Sequence, residues 1–146
     1  MTSASDKILW IWDAMEGYSG RMLEGHSSSI NCITFSPDGT KLASGSEDST
    51  LLLWNAATGQ VERLFRGHRS SVTCLVFTPD GTKLISGSRD ETIRVWDLAT
   101  GQVRAILDDH ASQVNRIAIS LAGNCLASAS YDDMVRKWDI AAGRSE

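Results

Sequence analysis

Trp12, Trp54, Trp96 and Trp138 are separated by 42 residues each time, and His26, His68 and His110 keep the same step. Set side by side without a gap, Gly25–Arg66 and Gly67–Asp108 share 23 identities in 42 positions. A tandem period of this length constrains a chain more than any single motif, because each unit must bury its apolar face against a neighbour. The 146 residues hold about three and a half such units.

Inside a unit the pattern is β. "INCITF", "KLASGS", "TLLLW" and "QVERLF" are short segments rich in β-branched and apolar residues. Turn signals divide them: "SPDGT", "SEDS" and "NAATGQ" in the first full unit, "TPDGT", "SRDE" and "DLATGQ" in the second. No segment carries a sustained 3.6-residue apolar stripe, so no helix is expected. Four strands in about 42 residues is the length of one blade of a propeller.

Composition narrows the function classes. With 42% hydrophobic and 22% charged residues the chain is an ordinary globular protein, which excludes disorder over most of its length. The net charge of −4 offers no basic field for a phosphate backbone, so nucleic acid is not an expected partner. The start "MTSASDKILWIWD" lacks the pattern of a secretory signal, and no apolar run is long enough to span a bilayer, so neither secretion nor a membrane partner is expected. Cys32, Cys74 and Cys125 are odd in number and show no CxxC spacing. They read as buried reduced thiols of a cytoplasmic protein, with the nucleus as the other compartment; a zinc site or disulfide is the lesser alternative.

His26, Ser44 and Asp48 are the residue types of a hydrolytic triad. The same set returns as His68, Ser86 and Asp90, and again as His110, Ser128 and Asp132, each time with a tryptophan. A catalytic centre needs one exposed nucleophile, an oxyanion hole and a cleft, and has no reason to be copied in every repeat. The triplets therefore read as architecture, with no catalytic residue, no metal ligand and no cofactor.

The combination "GH…SPDG…SGSxD…W[DN]" resembles the WD-repeat (WD40) β-propeller family over essentially the whole chain. The resemblance implies an all-β partial propeller of four-stranded antiparallel blades, strands a to d running from the inner to the outer edge. Residues 1–24 would hold strands c and d of a partial blade. Units 25–66 and 67–108 would be whole, and 109–146 would end without a strand d. It also implies a hydrogen-bonded tetrad in each full blade: His26, Ser44, Asp48 and Trp54; His68, Ser86, Asp90 and Trp96; His110, Ser128, Asp132 and Trp138. Asp38-Gly39 and Asp80-Gly81 suit tight a–b turns with positive φ at glycine, whereas "SLAG" (Ser120–Gly123) predicts a looser connection.

Members of this family commonly bind peptides and protein loops on the top face. The corresponding positions are Ser29, Asn31 and Glu47; Ser71, Thr73 and Arg89; Gln113, Asn115 and Tyr131; and Ser5 in the partial blade. Glu47, Arg89 and Tyr131 contrast most sharply on otherwise similar scaffolds, and an arginine beside a tyrosine suits a protein interface. The expected function is a non-catalytic protein-interaction scaffold with protein or peptide partners.

An open array exposes an apolar blade face and unpaired strands at each end. The sequence therefore reads as a fragment of a longer propeller. The alternative is a homo-oligomer that completes the propeller, since two copies hold nearly the seven units common in this family, although the strand phase leaves one strand c too many at each junction. A further alternative, suggested by the near-identity of successive units, is a regulatory or sensor segment of a larger signal-transducing NTPase. The chain itself has no GxxxxGK[ST] phosphate loop.

Overall fold

The computed structural model describes residues 7–13, 15 and 19–145. Every regular element among them is a strand: β1 (Ile8–Asp13), β2 (Ser19–Glu24), β3 (Ile30–Phe35), β4 (Lys41–Ser46), β5 (Leu51–Asn55), β6 (Val61–Phe65), β7 (Val72–Phe77), β8 (Lys83–Ser88), β9 (Ile93–Asp97), β10 (Val103–Leu107), β11 (Val114–Ile119), β12 (Cys125–Ser130), β13 (Val135–Asp139) and β14 (Arg144–Ser145). β1 and β2 form a two-stranded sheet. Three four-stranded antiparallel meanders follow in chain order: β3-β4-β5-β6, β7-β8-β9-β10 and β11-β12-β13-β14. This is the all-β, blade-by-blade architecture expected from the repeat.

β14 corrects one expectation. The last sheet was to end after its third strand, but Trp138 pairs with Ser145 and Asp139 with Arg144. The cause is the turn before it. The Asp139 carboxylate accepts the amides of Ala141 and Ala142, and Gly143 adopts φ 64°, which sends the chain back along β13. Asn55 and Asp97 cap the two preceding c–d turns in the same way. The turn at Ser120–Gly123 is a second correction, since it is no looser than the others. The Gly123 amide donates to the Ser120 carbonyl and Gly123 has φ 74°, against 72° and 68° at Gly39 and Gly81. The hydrogen bonds that Asp38 and Asp80 accept in the other two turns have no counterpart here, and the Ser120 hydroxyl donates to Asn124 Oδ1 instead.

The core lies between sheets rather than within one. Leu9, Leu23, Leu42, Leu52 and Trp54 fill the first junction. Ala43, Leu53, Phe65, Val72, Phe77, Leu84 and Trp96 fill the second; Ile85, Val95, Leu107, Val114, Leu126 and Trp138 fill the third. Closeness at the inner edge depends on glycine. A Cβ on Gly45 would lie 2.6 Å from Val72, and one on Gly87 would lie 2.7 Å from Val114. Polar ties add to this packing: the Asn31 side-chain amide donates to the Val72 carbonyl at 3.0 Å, and the Thr73 hydroxyl lies 2.6 Å from the Val114 carbonyl.

At the opposite end of the strands, arginines bridge sheets. Arg21 donates to the Ala57 carbonyl and Arg63 to the Ala99 carbonyl. The third unit has Ala105 there, and a groove of about 600 Å³ opens between the last two sheets, lined by Ala105, Asp97, Ile140, Ala141 and Gly143 among others. Two outcomes are expected in thermal or denaturant unfolding. Gly87→Ala should destabilise by about 1–3 kcal/mol, the usual cost of overpacking. Ala105→Arg should raise the midpoint, with about 0.5–1 kcal/mol from a restored bridge to the last sheet.

Candidate functional site

Each four-stranded sheet carries one polar network, built from the loop before its first strand, its second strand, the turn after that and its third strand. In the first, His26 Nδ1 lies 3.0 Å from Asp48 Oδ2 and Nε2 lies 2.8 Å from Ser44 Oγ, while the Trp54 indole N–H donates to the same Oγ at 2.8 Å. His68, Asp90, Ser86 and Trp96 repeat the set at 2.8, 2.7 and 2.8 Å. His110, Asp132, Ser128 and Trp138 do so at 2.8, 2.7 and 2.7 Å. One assignment of protons satisfies every atom: Nδ1–H donates to the carboxylate, the serine hydroxyl donates to Nε2, and Oγ accepts from the indole.

The Asp–His–Ser order is that of a hydrolytic triad, but the serine is placed for the opposite purpose. Ser44 and Ser86 are 0% exposed and Ser128 2%. Each Oγ has its proton directed at imidazole and a lone pair taken by tryptophan, so it faces no cleft and no substrate.

Further partners recur with the same period. The aspartate also accepts the backbone N–H of Ser27, Arg69 or Ala111. Thr50 and Thr92 donate from their hydroxyls to Asp48 and Asp90, where the last sheet has Met134 and only its amide. Ser46, Ser88 and Ser130 accept the aspartate amide and donate to a carbonyl of the preceding loop. These residues were missed as network members although they stand in the sequence at the 42-residue step. Ser49, Glu91 and Asp133 follow the aspartate with φ of 69°, 72° and 63°. A left-handed residue there folds the turn so that the carboxylate points back to the histidine.

Glu47, Arg89 and Tyr131 precede the three aspartates, are exposed, and share one backbone geometry: their amides donate to the carbonyls of Ser29, Ser71 and Gln113 at 2.9, 2.9 and 3.1 Å. Other binding candidates are placed differently. Asn31 and Thr73 are committed to the bonds between sheets described above, and Ser71 is buried. Asn115 is exposed at the position of Asn31. Ser5 lies outside the described residues.

The sequence profile described as "WD domain, G-beta repeat" matches residues 17–55, 59–97 and 101–139. The chain belongs to the WD-repeat family. No curated protein is matched by it. WD40 repeats generally mediate protein–protein interaction as scaffolds. Each matched repeat is offset from the sheets by one strand: 17–55 contains β2, the last strand of one sheet, and then β3, β4 and β5 of the next.

The WD-repeat networks also set the electrostatics. Burial of the Asp48 carboxyl acts to raise its pKa, but hydrogen bonds from Thr50, the Ser27 amide and His26 outweigh it and bring the group from 3.8 to about 2. Burial likewise opposes ionisation of Asp90, where His68, Thr92 and the Arg69 amide prevail and hold it lower still. Burial pushes the Cys32 thiol up to about 12 and raises Cys74, so neither is an activated nucleophile.

A depressed carboxylate pKa stabilises the folded protein above the unfolded value near 3.8, and that contribution is lost as pH falls toward 2. The unfolding midpoint, followed by circular dichroism, should therefore drop between about pH 4 and about pH 2, and Asp90→Asn should flatten part of that drop. Asp90→Ala should destabilise by about 1–3 kcal/mol at neutral pH by orphaning His68 and Thr92. An unchanged melting temperature in Asp90→Ala would show that the network carries no stability there.

Proposed function

We propose that this WD-repeat chain is a non-catalytic scaffold that holds a peptide or protein loop across its b–c turns. The observation that carries the reading is the row Glu47, Arg89, Tyr131: one backbone position, repeated in three neighbouring sheets, with three unlike exposed side chains. Ser46, Ser88 and Ser130 before this row and the three aspartates after it are unchanged, so unlike side chains stand on one fixed frame where a partner would touch. Arg89 has no hydrogen bond from its side chain to another described residue, and Tyr131 is 63% exposed. An extended segment with a carboxylate opposite Arg89 and an apolar or proline residue against the Tyr131 ring suits this row. Three unpaired cysteines favour a reducing compartment, the cytoplasm or the nucleus. The NTPase-linked alternative has no residue of this chain to support it.

Peptides selected from a random display library on the purified protein test the reading. Arg89→Ala and Tyr131→Ala should each weaken the selected peptides about tenfold or more while leaving the melting temperature unchanged. Peptide affinity untouched by both substitutions would move the binding surface elsewhere.

A further inference from the structure

The arginines that bridge sheets also fill the space between them. The Arg21 stem lies over Gly59, where an added Cβ would meet Arg21 Cδ at 2.6 Å, and the Arg63 guanidinium covers Gly101 in the same way. Their acceptors, the Ala57 and Ala99 carbonyls, stand in the turns that follow β5 and β9. The 42-residue step places Ala105, Gly143 and the Ala141 carbonyl at the third junction. There a Cβ on Gly143 would meet only Ala105 Cβ, 3.9 Å away. The groove of about 600 Å³ is therefore the room that an arginine side chain takes up at the two earlier junctions. It lies inside the chain, between two four-stranded sheets.

A second exchange, one residue before Ala105, gives this groove a surplus charge. In the β3–β6 sheet the row Lys41, Asn55 and Glu62 is closed, because the Glu62 carboxylate accepts from both the Lys41 ammonium and the Asn55 side-chain amide. The counterparts Lys83, Asp97 and Arg104 all line the groove. One carboxylate now faces two cations. Its oxygens are both engaged, Oδ1 by the amides of Ala99 and Thr100 and Oδ2 by Arg104 Nε and Nη2 at 3.0 and 2.9 Å. Among the described residues the Lys83 ammonium donates only to the Thr82 hydroxyl, at 3.3 Å, and pairs with no carboxylate. Asp80 feels its charge from farther off and is already engaged by the hydroxyls of Thr78 and Thr82. The change from Glu62-Arg63 to Arg104-Ala105 thus empties a slot and leaves a cation unpaired beside it.

We propose that this groove docks an acidic segment of a partner protein, an extended stretch whose glutamate or aspartate carboxylate reaches Lys83. Small side chains of the segment rest on Ala105 and Ile140, and a main-chain N–H takes the place of the guanidinium at the Ala141 carbonyl. Charge complementarity selects the carboxylate. An arginine, which shape alone would admit, meets like charge from Lys83 and Arg104. Exposure selects a chain over a small molecule: Ala141, Ala142 and Gly143 stand open to solvent, so the groove encloses too little of a compact ligand to hold it. This surface lies at the opposite end of the strands from Glu47, Arg89 and Tyr131 and does not rest on the binding row proposed above.

Peptides selected from a random display library on the purified full chain are counter-screened on Ala105→Leu, which fills the groove without changing its charge. Circular dichroism checks the fold of each variant. The selection should recover acidic peptides whose affinity falls about tenfold or more on Ala105→Leu and on Lys83→Gln, and is unchanged on Arg89→Ala. Arg104→Glu rebuilds the closed row of the β3–β6 sheet and should release the same peptides. If Ala105→Leu does not fold, Lys83→Gln and Arg104→Glu decide between them. Recovery of no acidic peptide that these variants weaken overturns the inference. So does binding that survives Lys83→Gln or Arg104→Glu, or binding that is lost with Arg89→Ala and so belongs to the b–c turns.

Discussion

The hydroxyl of one serine per sheet is the point on which the rest depends. Ser44, Ser86 and Ser128 each receive an indole N–H and face an imidazole, and none has water to replace either partner. A buried polar network is stable only when complete, so loop, second strand and third strand must all be in register before any of the four side chains is satisfied. The tryptophan extends that condition outward. Its N–H belongs to its own sheet and its ring fills the junction with the sheet before, as Phe65 and Trp96 do with centroids 5.5 Å apart. Local polar order and packing between sheets thus meet in one residue.

Much of this was legible in the sequence because the decisive residue types are few and recur at one spacing. A Trp, a His, a Ser and an Asp returning every 42 residues leave little room for another arrangement, and short segments rich in β-branched and apolar residues, such as "INCITF" and "TLLLW", mark the strands around them. What escaped reading was carried by the backbone. β14 is two residues, Arg144 and Ser145, with no apolar pattern, and it exists because Asp139 and Gly143 shape the turn in front of it. The Ser120 turn keeps its form because Gly123 and the Ser120 hydroxyl, which binds the Cys125 amide, supply what the backbone requires; proline and aspartate only reinforce it.

Asn31 and Thr73 show the opposite difficulty. Their partners are main-chain carbonyls of the next sheet, and a carbonyl has no letter in a sequence. A polar side chain on an inner strand then looks like a free surface residue until the neighbouring sheet is in place. The candidate row Glu47, Arg89, Tyr131 was readable for the inverse reason: the backbone around it is so uniform that only the side chains differ.

The one-strand offset between repeat and sheet has a consequence for how such a chain lengthens. Each repeat surrenders its first strand to the sheet of its predecessor, so a sequence boundary always falls inside a hydrogen-bonded ladder. Copying one unit in this phase would insert a complete sheet and, in the same event, lace it to both neighbours. Growth by duplication therefore needs no separately evolved fastening; the seam is inherited with the cloth.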